Sequence, residues 1–114
     1  MNQENMKIIS NLLKAIELHI NEEDMSKRFI DSFMEVSSIE NNYLSGNEII
    51  DSELCNTLSE LITVIEEEIN EKKIPQPLND AIKEVDIILS NHYFKSVKMY
   101  QYNILGFNKA YKKI

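Results

Sequence analysis

The chain has 114 residues, 43% of them hydrophobic and 27% charged, and it carries a net charge of −7. This length and composition are typical of one globular domain, and the acidic balance argues against non-specific binding to DNA, which requires lysines and arginines on one surface. Only two Gly and two Pro occur, too few for the turns of an all-β fold, so we expect a mostly helical protein.

Two helices are predicted in the first part of the chain. Apolar residues at steps of three and four predict the first helix over about Gln3 to Ile20. Asn21 is a favoured N-cap, and the acidic residues after it suit the positive end of a helix dipole, so the second helix is predicted over about Glu22 to Ile39. Turn-forming residues then predict a connecting loop over Asn41 to Ile50, which Tyr43 and Leu44 are expected to anchor to the core.

The third helix has the clearest pattern. Leucine and isoleucine recur along one face from Ser52 to Lys73, and Asp51 or Ser52 can cap the start. The lysines at the end complement the negative pole of the helix dipole. Pro75 ends the helix, because proline lacks the N–H of the hydrogen-bond ladder and restricts the residue before it.

A fourth helix is predicted to start near Pro77, which fits the first turn of a helix. Its apolar face runs to about Asn91, and helical spacing continues beyond that residue. The chain after Asn91 therefore either extends the fourth helix or forms a short separate helix, with Gly106 as the expected end. We detect no internal repeat. Four amphipathic helices joined by short connections predict an all-α fold, an antiparallel four-helix bundle with a C-terminal tail.

The tail, residues 92–114, differs in charge from the body, residues 1–91, although both belong to one domain. Five of the 12 basic residues and none of the 19 acidic residues lie in the tail, which leaves seven basic residues and a charge of −12 in the body. The tail also holds six of the nine aromatic residues. Such a division of charge indicates an interaction element. The candidate partner-binding residues are Tyr93, Phe94, Lys95, Lys98, Tyr100, Tyr102, Phe107, Lys109, Tyr111, Lys112 and Lys113.

Three roles of the tail are consistent with its composition. Its aromatic rings could complete the core of a small bundle. Alternatively, tyrosines supply rigid contact area for a protein partner, and lysines direct the tail to an acidic target. As a third role, tyrosine and lysine suit the headgroup level of an anionic membrane surface, although five lysines without a lipid anchor would bind weakly.

No residue set in the sequence predicts catalysis, a metal or a cofactor. His19 precedes Glu22 and Glu23, but a helix junction intervenes, so a cation at a helix C-terminus is expected. The Glu-x-x-His pairs of di-iron bundles are absent. Glu66 to Glu68 with Glu71 predict a solvated face, or else an acidic patch that receives the tail or a basic partner. Cys55, the single cysteine, excludes an intramolecular disulfide and is expected to be buried and inert.

Targeting features are also missing from the sequence. No apolar run reaches the length of a membrane-spanning helix, and the N-terminus lacks the basic and apolar regions of a signal peptide. We therefore expect a cytoplasmic protein.

One family resemblance is carried by the passage from the third helix into the fourth. The segment from Leu54-Cys-Asn-Thr-Leu to Glu71-Lys-Lys-Ile-Pro75, together with the tyrosine-rich C-terminus, resembles the immunity proteins of class IIa (pediocin-like) bacteriocins of Gram-positive bacteria. The resemblance implies a non-catalytic protein that protects the cell from a pore-forming peptide. It further implies binding, from the cytoplasmic side, to a mannose phosphotransferase permease engaged by bacteriocin, with specificity in the tail from about Tyr93. The alternative is a small helical regulator or inhibitor of another cytoplasmic protein.

Overall fold

The computed structural model describes the backbone of residues 1–103 and the side chains of residues 1–94. This part of the chain is all-helical and contains no strand. Two short 3-10 turns, Glu22–Asp24 and Glu71–Lys73, precede the second and fourth helices. The four α-helices are α1 (Gln3–His19), α2 (Lys27–Leu44), α3 (Asp51–Glu68) and α4 (Gln76–Asn103).

The helices form an antiparallel bundle around one core. α1 packs most closely on α4, and α2 packs most closely on α3. The apolar stripe of every helix faces the same cluster of buried side chains, in which Phe29, Leu54 and Leu78 are among the largest that are fully buried. Burial of such a side chain stabilises the fold by about 1.5–3 kcal/mol before chain entropy is counted. The predicted all-α four-helix bundle is confirmed.

The boundaries of α2 differ from the prediction at both ends. Asn21 caps the 3-10 turn, whereas α2 itself begins at Lys27, because the Ser26 hydroxyl accepts the backbone N–H of Phe29 at 3.3 Å. The predicted start at Glu22 is therefore wrong by five residues.

The loop predicted over Asn41 to Ile50 is wrong in its first four residues, because α2 continues to Leu44, and is confirmed over residues 45–50, which belong to no helix. The helix stops at Gly46, which has a φ of +84° that other residues adopt only with strain. The backbone N–H of Gly46 donates to Tyr43, and that of Asn47 donates to Asn42, which is the Schellman pattern of a glycine-terminated helix.

Both ends of α3 also differ from the prediction. Neither Asp51 nor Ser52 caps the helix, since the N-cap position is Ile50, which makes no side-chain hydrogen bond. The Asp51 carboxylate instead accepts from the N-terminal ammonium of Met1 at 2.7 Å, so it ties α3 to the start of α1. α3 ends at Glu68 rather than Lys73, and the 3-10 turn follows.

α4 begins where it was predicted to begin. Its length also distinguishes the two predictions for the tail, which were an extension of the fourth helix or a short separate helix. Pro77 lies in the first turn, as expected. The helix then continues without a break to Asn103, so the tail extends α4 at least that far. The predicted end at Gly106 lies outside the described residues.

The two halves of the chain share one pattern, so the expectation of no internal repeat is wrong. The two 3-10 turns lie 49 residues apart, and so do the first residues of α2 and α4. At 13 of the 44 positions from 1 to 44, the residue 49 positions further on is the same. These positions are Glu4, Ser10, Leu12, Ile16, Glu17, Ile20, Asn21, Glu22, Asp31, Glu35, Val36, Ile39 and Asn42.

Burial follows the same repeat. Each of the nine buried residues of α1 and α2 has a buried counterpart in α3 or α4. The pairs are Met6 and Cys55, Ile9 and Leu58, Leu12 and Leu61, Leu13 and Ile62, Ile16 and Ile65, Phe29 and Leu78, Ser32 and Ala81, Phe33 and Ile82, and Val36 and Val85. The bundle is therefore a tandem pair of helical hairpins.

The helix contacts have the corresponding two-fold symmetry. Exchanging the hairpins converts the close pair α1 and α4 into the close pair α3 and α2. Within each hairpin the two helices contact each other less than they contact the other hairpin. The symmetry ends at Leu44 and its counterpart Tyr93, because α2 stops there whereas α4 continues. The part of α4 from Phe94 onward thus has no equivalent in the first half.

Candidate functional site

The extension of α4 begins at one end of the bundle. The start of α1, the start of α3 and residues of α4 meet there around one shallow groove, lined by Met1, Asn2, Asn5, Asp51, Ile88, Asn91 and His92. His92 is the residue furthest along α4 that lines this groove. At 1.5 Å per residue, the helix from residue 93 to 103 runs ~16 Å further.

Tyr93 joins this extension to the bundle. Its hydroxyl donates to the Asn56 side-chain oxygen on α3 at 2.7 Å, and its ring meets the His92 ring edge-on, with centroids 5.1 Å apart. Desolvation, with a smaller effect of Cys55, raises the pKa of Tyr93, so the phenol remains a hydrogen-bond donor at neutral pH. Tyr93, predicted to bind a partner, thus also has a structural contact.

Phe94, the next predicted partner-binding residue, is 52% exposed. An exposed phenylalanine beside Tyr93, the last described contact of α4 with the bundle, is apolar surface of the kind that interaction sites present. Two more apolar side chains are exposed at the ends of the connection between α2 and α3: Leu44, the last residue of α2, at 69%, and Ile50, the N-cap of α3, at 59%. The expectation that Leu44 anchors this connection to the core is wrong, whereas Tyr43 does pack against the core.

The remaining predicted partner-binding residues fall into two groups. Lys95, Lys98, Tyr100 and Tyr102 lie on the helical backbone of α4, and their side chains are outside the described residues. The five further along the chain lie entirely outside them, namely Phe107, Lys109, Tyr111, Lys112 and Lys113. The three roles considered for the tail remain predictions for both groups.

A second open surface lies between α1 and α2 and was not predicted. It is a groove of about 520 Å³, lined by Gln3, Glu4, Met6, Lys7, Ser10, Asn11, Lys14, Tyr43 and Leu44. Lys7 and Lys14 stand on the same face of α1, two helical turns apart. Neither lysine has a carboxylate within salt-bridge distance among the described side chains. The only sequence signal for this groove is the spacing of the two lysines.

The glutamates at the end of α3 are partly engaged within the bundle. The Arg28 guanidinium of α2 pairs with Glu60, and with Glu67 at 2.7 Å. The hydrogen bond from Arg28 lowers the pKa of Glu60, and hydrogen bonds from the Ser26 hydroxyl and backbone lower the pKa of Glu68. Two of the predicted solvated glutamates, Glu67 and Glu68, therefore help to join α2 to α3.

Glu66 has a different environment on α3. Burial, followed by the nearby charges of Asp86 and Glu71, raises the pKa of Glu66, and burial also raises the pKa of Asp86. The negative charges of these two carboxylates therefore reduce the stability of the folded state at neutral pH. Neither residue has a described basic partner within salt-bridge distance.

Cys55 and His19 follow the predicted structural roles. Cys55 is fully buried in the core, where desolvation and then the charge of Asp51 raise the pKa of its thiol. A thiol of this kind is a poor nucleophile. His19 is the last residue of α1, at the helix C-terminus where it was predicted. Among the described side chains, no group of three or more His, Cys, Asp and Glu could hold a metal ion.

Comparison with protein families, curated proteins and solved structures finds no match for this chain. Within residues 1–103, none of the helices is both long enough and apolar enough to cross a membrane.

Proposed function

We propose that this chain is a non-catalytic immunity protein, similar to those of pediocin-like bacteriocins, that acts at the cytoplasmic face of the membrane. The tail would recognise a membrane receptor complex, such as a mannose phosphotransferase permease that has bound bacteriocin. Binding would hold that complex closed, so protection would depend on binding energy alone. The resemblance of the sequence from Leu54 to Pro75 and of the tyrosine-rich C-terminus supports this proposal.

The observation that carries the proposal is the continuation of α4 beyond the repeat. The first hairpin ends at Leu44 with a glycine-terminated helix, whereas the second runs on from Phe94 to Asn103. The body already contains a core to which all four helices contribute. A helix that continues past the end of the repeat and carries the basic, aromatic end of the chain is suited to contact another molecule.

Charge supports a recognition role for the same segment. All five lysines of the tail follow Phe94, and no acidic residue accompanies them. A cationic, aromatic helix can reach an acidic protein surface, where charge increases the rate of encounter and the rings supply contact area. Contact with anionic headgroups beside such a receptor would act in the same direction.

Expression in a sensitive Gram-positive strain tests the proposal. Survival would be scored against a panel of pediocin-like bacteriocins, for the full chain and for a chain that ends at Phe94. We expect the full chain to protect against at least one bacteriocin and the shortened chain to protect against none. Equal protection by the two chains would show that the tail is not the recognition element. Failure of the full chain against the whole panel would contradict immunity and favour a regulator of another protein.

A further inference from the structure

We propose that the groove between α1 and α2 is a second docking site, one that takes an acidic protein segment with an apolar side chain between two carboxylates. This site is separate from the tail, because it is formed by the first hairpin. It also goes beyond bacteriocin immunity, since it does not depend on the identity of the tail's target.

The repeat provides an internal comparison for this groove. In the second hairpin, Tyr93 crosses from α4 to α3 and donates to Asn56 at 2.7 Å. The counterparts in the first hairpin are Leu44 and Lys7. Leucine has no hydroxyl group and is shorter than tyrosine. Leu44 is 69% exposed, against 36% for Tyr93. Tyr93 is therefore held against the second hairpin, whereas its counterpart Leu44 leaves the same place in the first hairpin accessible to solvent.

The floor of the groove supplies apolar contact. Tyr43 is half-buried against the core, and Met6 is buried beneath the groove. Leu44 forms an exposed apolar edge beside them. An apolar side chain of an occupant would therefore exchange water for contact with three side chains, which favours binding in proportion to the buried area.

The charges of the groove determine the chemistry of the occupant. The body has only seven basic residues against 19 acidic ones, and two of the seven, Lys7 and Lys14, line this groove. They are separated by about 10 Å along α1, as two helical turns require. Glu4 is the acidic residue among the described lining residues, and the Ser10 hydroxyl, also in the lining, donates a hydrogen bond to Glu40.

An occupant with two carboxylates at that spacing could therefore pair with both lysines. In the second hairpin, the Asn56 amide oxygen accepts the hydrogen bond from Tyr93. Its counterpart in the first hairpin is the Lys7 ammonium, which can only donate and so requires an acceptor from the occupant. A carboxylate is the strongest acceptor that a protein segment can bring to it. A basic segment would be repelled by the same two lysines.

A selection experiment with the full chain tests this assignment. A phage library of random 12-residue peptides would be selected on the immobilised protein, and the best peptide would be synthesised and its affinity measured by fluorescence anisotropy. Two double variants with the same change of charge provide the comparison: K7E/K14E in the groove, and K72E/K73E in the 3-10 turn at the opposite end of the bundle. All four lysines are exposed, so both variants are expected to fold, and circular dichroism verifies this.

We expect the selected peptides to be acidic with a central apolar residue. We expect K7E/K14E to weaken binding at least tenfold, K72E/K73E to weaken it less than twofold, and Leu44→Asn to weaken it at least threefold. Amide resonances of Lys7, Tyr43 and Leu44 should shift on titration with the peptide. The assignment is overturned if no peptide is enriched, if the enriched peptides are neutral or basic, or if the two charge variants weaken binding equally.

Discussion

The repeat leads to a quantitative expectation for two leucines of the core. Leu12 on α1 and Leu61 on α3 are the same residue at equivalent positions, and both are 0% exposed. Truncation of a buried leucine to alanine costs about 2.7–5 kcal/mol, the range set by the volume of the cavity that remains. Because both side chains lie in one shared core, we expect Leu12→Ala and Leu61→Ala to fall in this range and to agree within about 1 kcal/mol.

Such a loss is large for a domain of this size. A small domain is stable by roughly 5–15 kcal/mol, so either variant removes a substantial fraction of the free energy of unfolding. At about 4 °C per kcal/mol, the midpoint of thermal unfolding should fall by ~10–20 °C. Leu18→Ala is the matched control, since Leu18 belongs to α1 and is 78% exposed. It should change the midpoint by less than ~2 °C.

Urea denaturation followed by circular dichroism measures these costs. The midpoint should shift with an unchanged slope, which indicates that the surface exposed on unfolding is the same. If truncation of one leucine cost less than about 1 kcal/mol while truncation of the other cost several, the two positions would not be energetically equivalent, contrary to the repeat. A cost for Leu18→Ala equal to that of the buried pair would contradict the placement of α1.

Three further substitutions test the helix ends and the charges. Gly46→Ala should cost about 1 kcal/mol in urea denaturation, because its φ of +84° strains other residues although space for a Cβ is open; no loss would contradict the glycine termination of α2. Arg28→Ala should raise the pKa of Glu60 toward its usual value in an NMR titration. The protein should then lose less stability as the pH falls and Glu60 is protonated, because the ion pair no longer favours the charged carboxylate. An unchanged pKa of Glu60 would contradict the ion pair. Asp86→Asn should stabilise the protein in urea denaturation at pH 7 by less than about 0.5 kcal/mol, a small gain because the side chain is exposed, and should give no gain near pH 3. The pKa of Asp86 is raised on folding, so its charge costs stability above its unfolded pKa and nothing below it; destabilisation at pH 7 would refute this sign.

The four helices could be predicted because each has a continuous apolar stripe. Leu54, Leu58 and Leu61 repeat at helical spacing, and burial of that face fixes α3 wherever its ends fall. The ends themselves depend on single hydrogen bonds. Asn21 has the character of a helix cap but caps a 3-10 turn, and Ser26, with an equally suitable side chain, caps α2. Sequence alone does not show which of two such residues, five positions apart, caps the α-helix.

The repeat and the groove were missed for different reasons. Six of the nine buried pairs differ in residue type, as Met6 and Cys55 do, and the two 3-10 turns differ in charge, since Lys73 is the counterpart of Asp24. The groove joins residues of α1 to Tyr43, more than twenty residues away, so its parts meet only after folding. The tail, by contrast, was evident from the sequence because its charge and aromatic residues are contiguous.

The division into a self-sufficient bundle and a recognition tail is tested most directly by the thermal unfolding of a chain that ends at Phe94. This chain keeps the hydrogen bond between Tyr93 and Asn56 and the whole of the described core. We expect a single cooperative transition with a midpoint within about 3 °C of the full chain, less than the shift expected for loss of ~1 kcal/mol. A chain that is unfolded at room temperature, or one that melts more than 10 °C lower, would mean that the tail completes the core, which contradicts a recognition tail on a self-sufficient bundle.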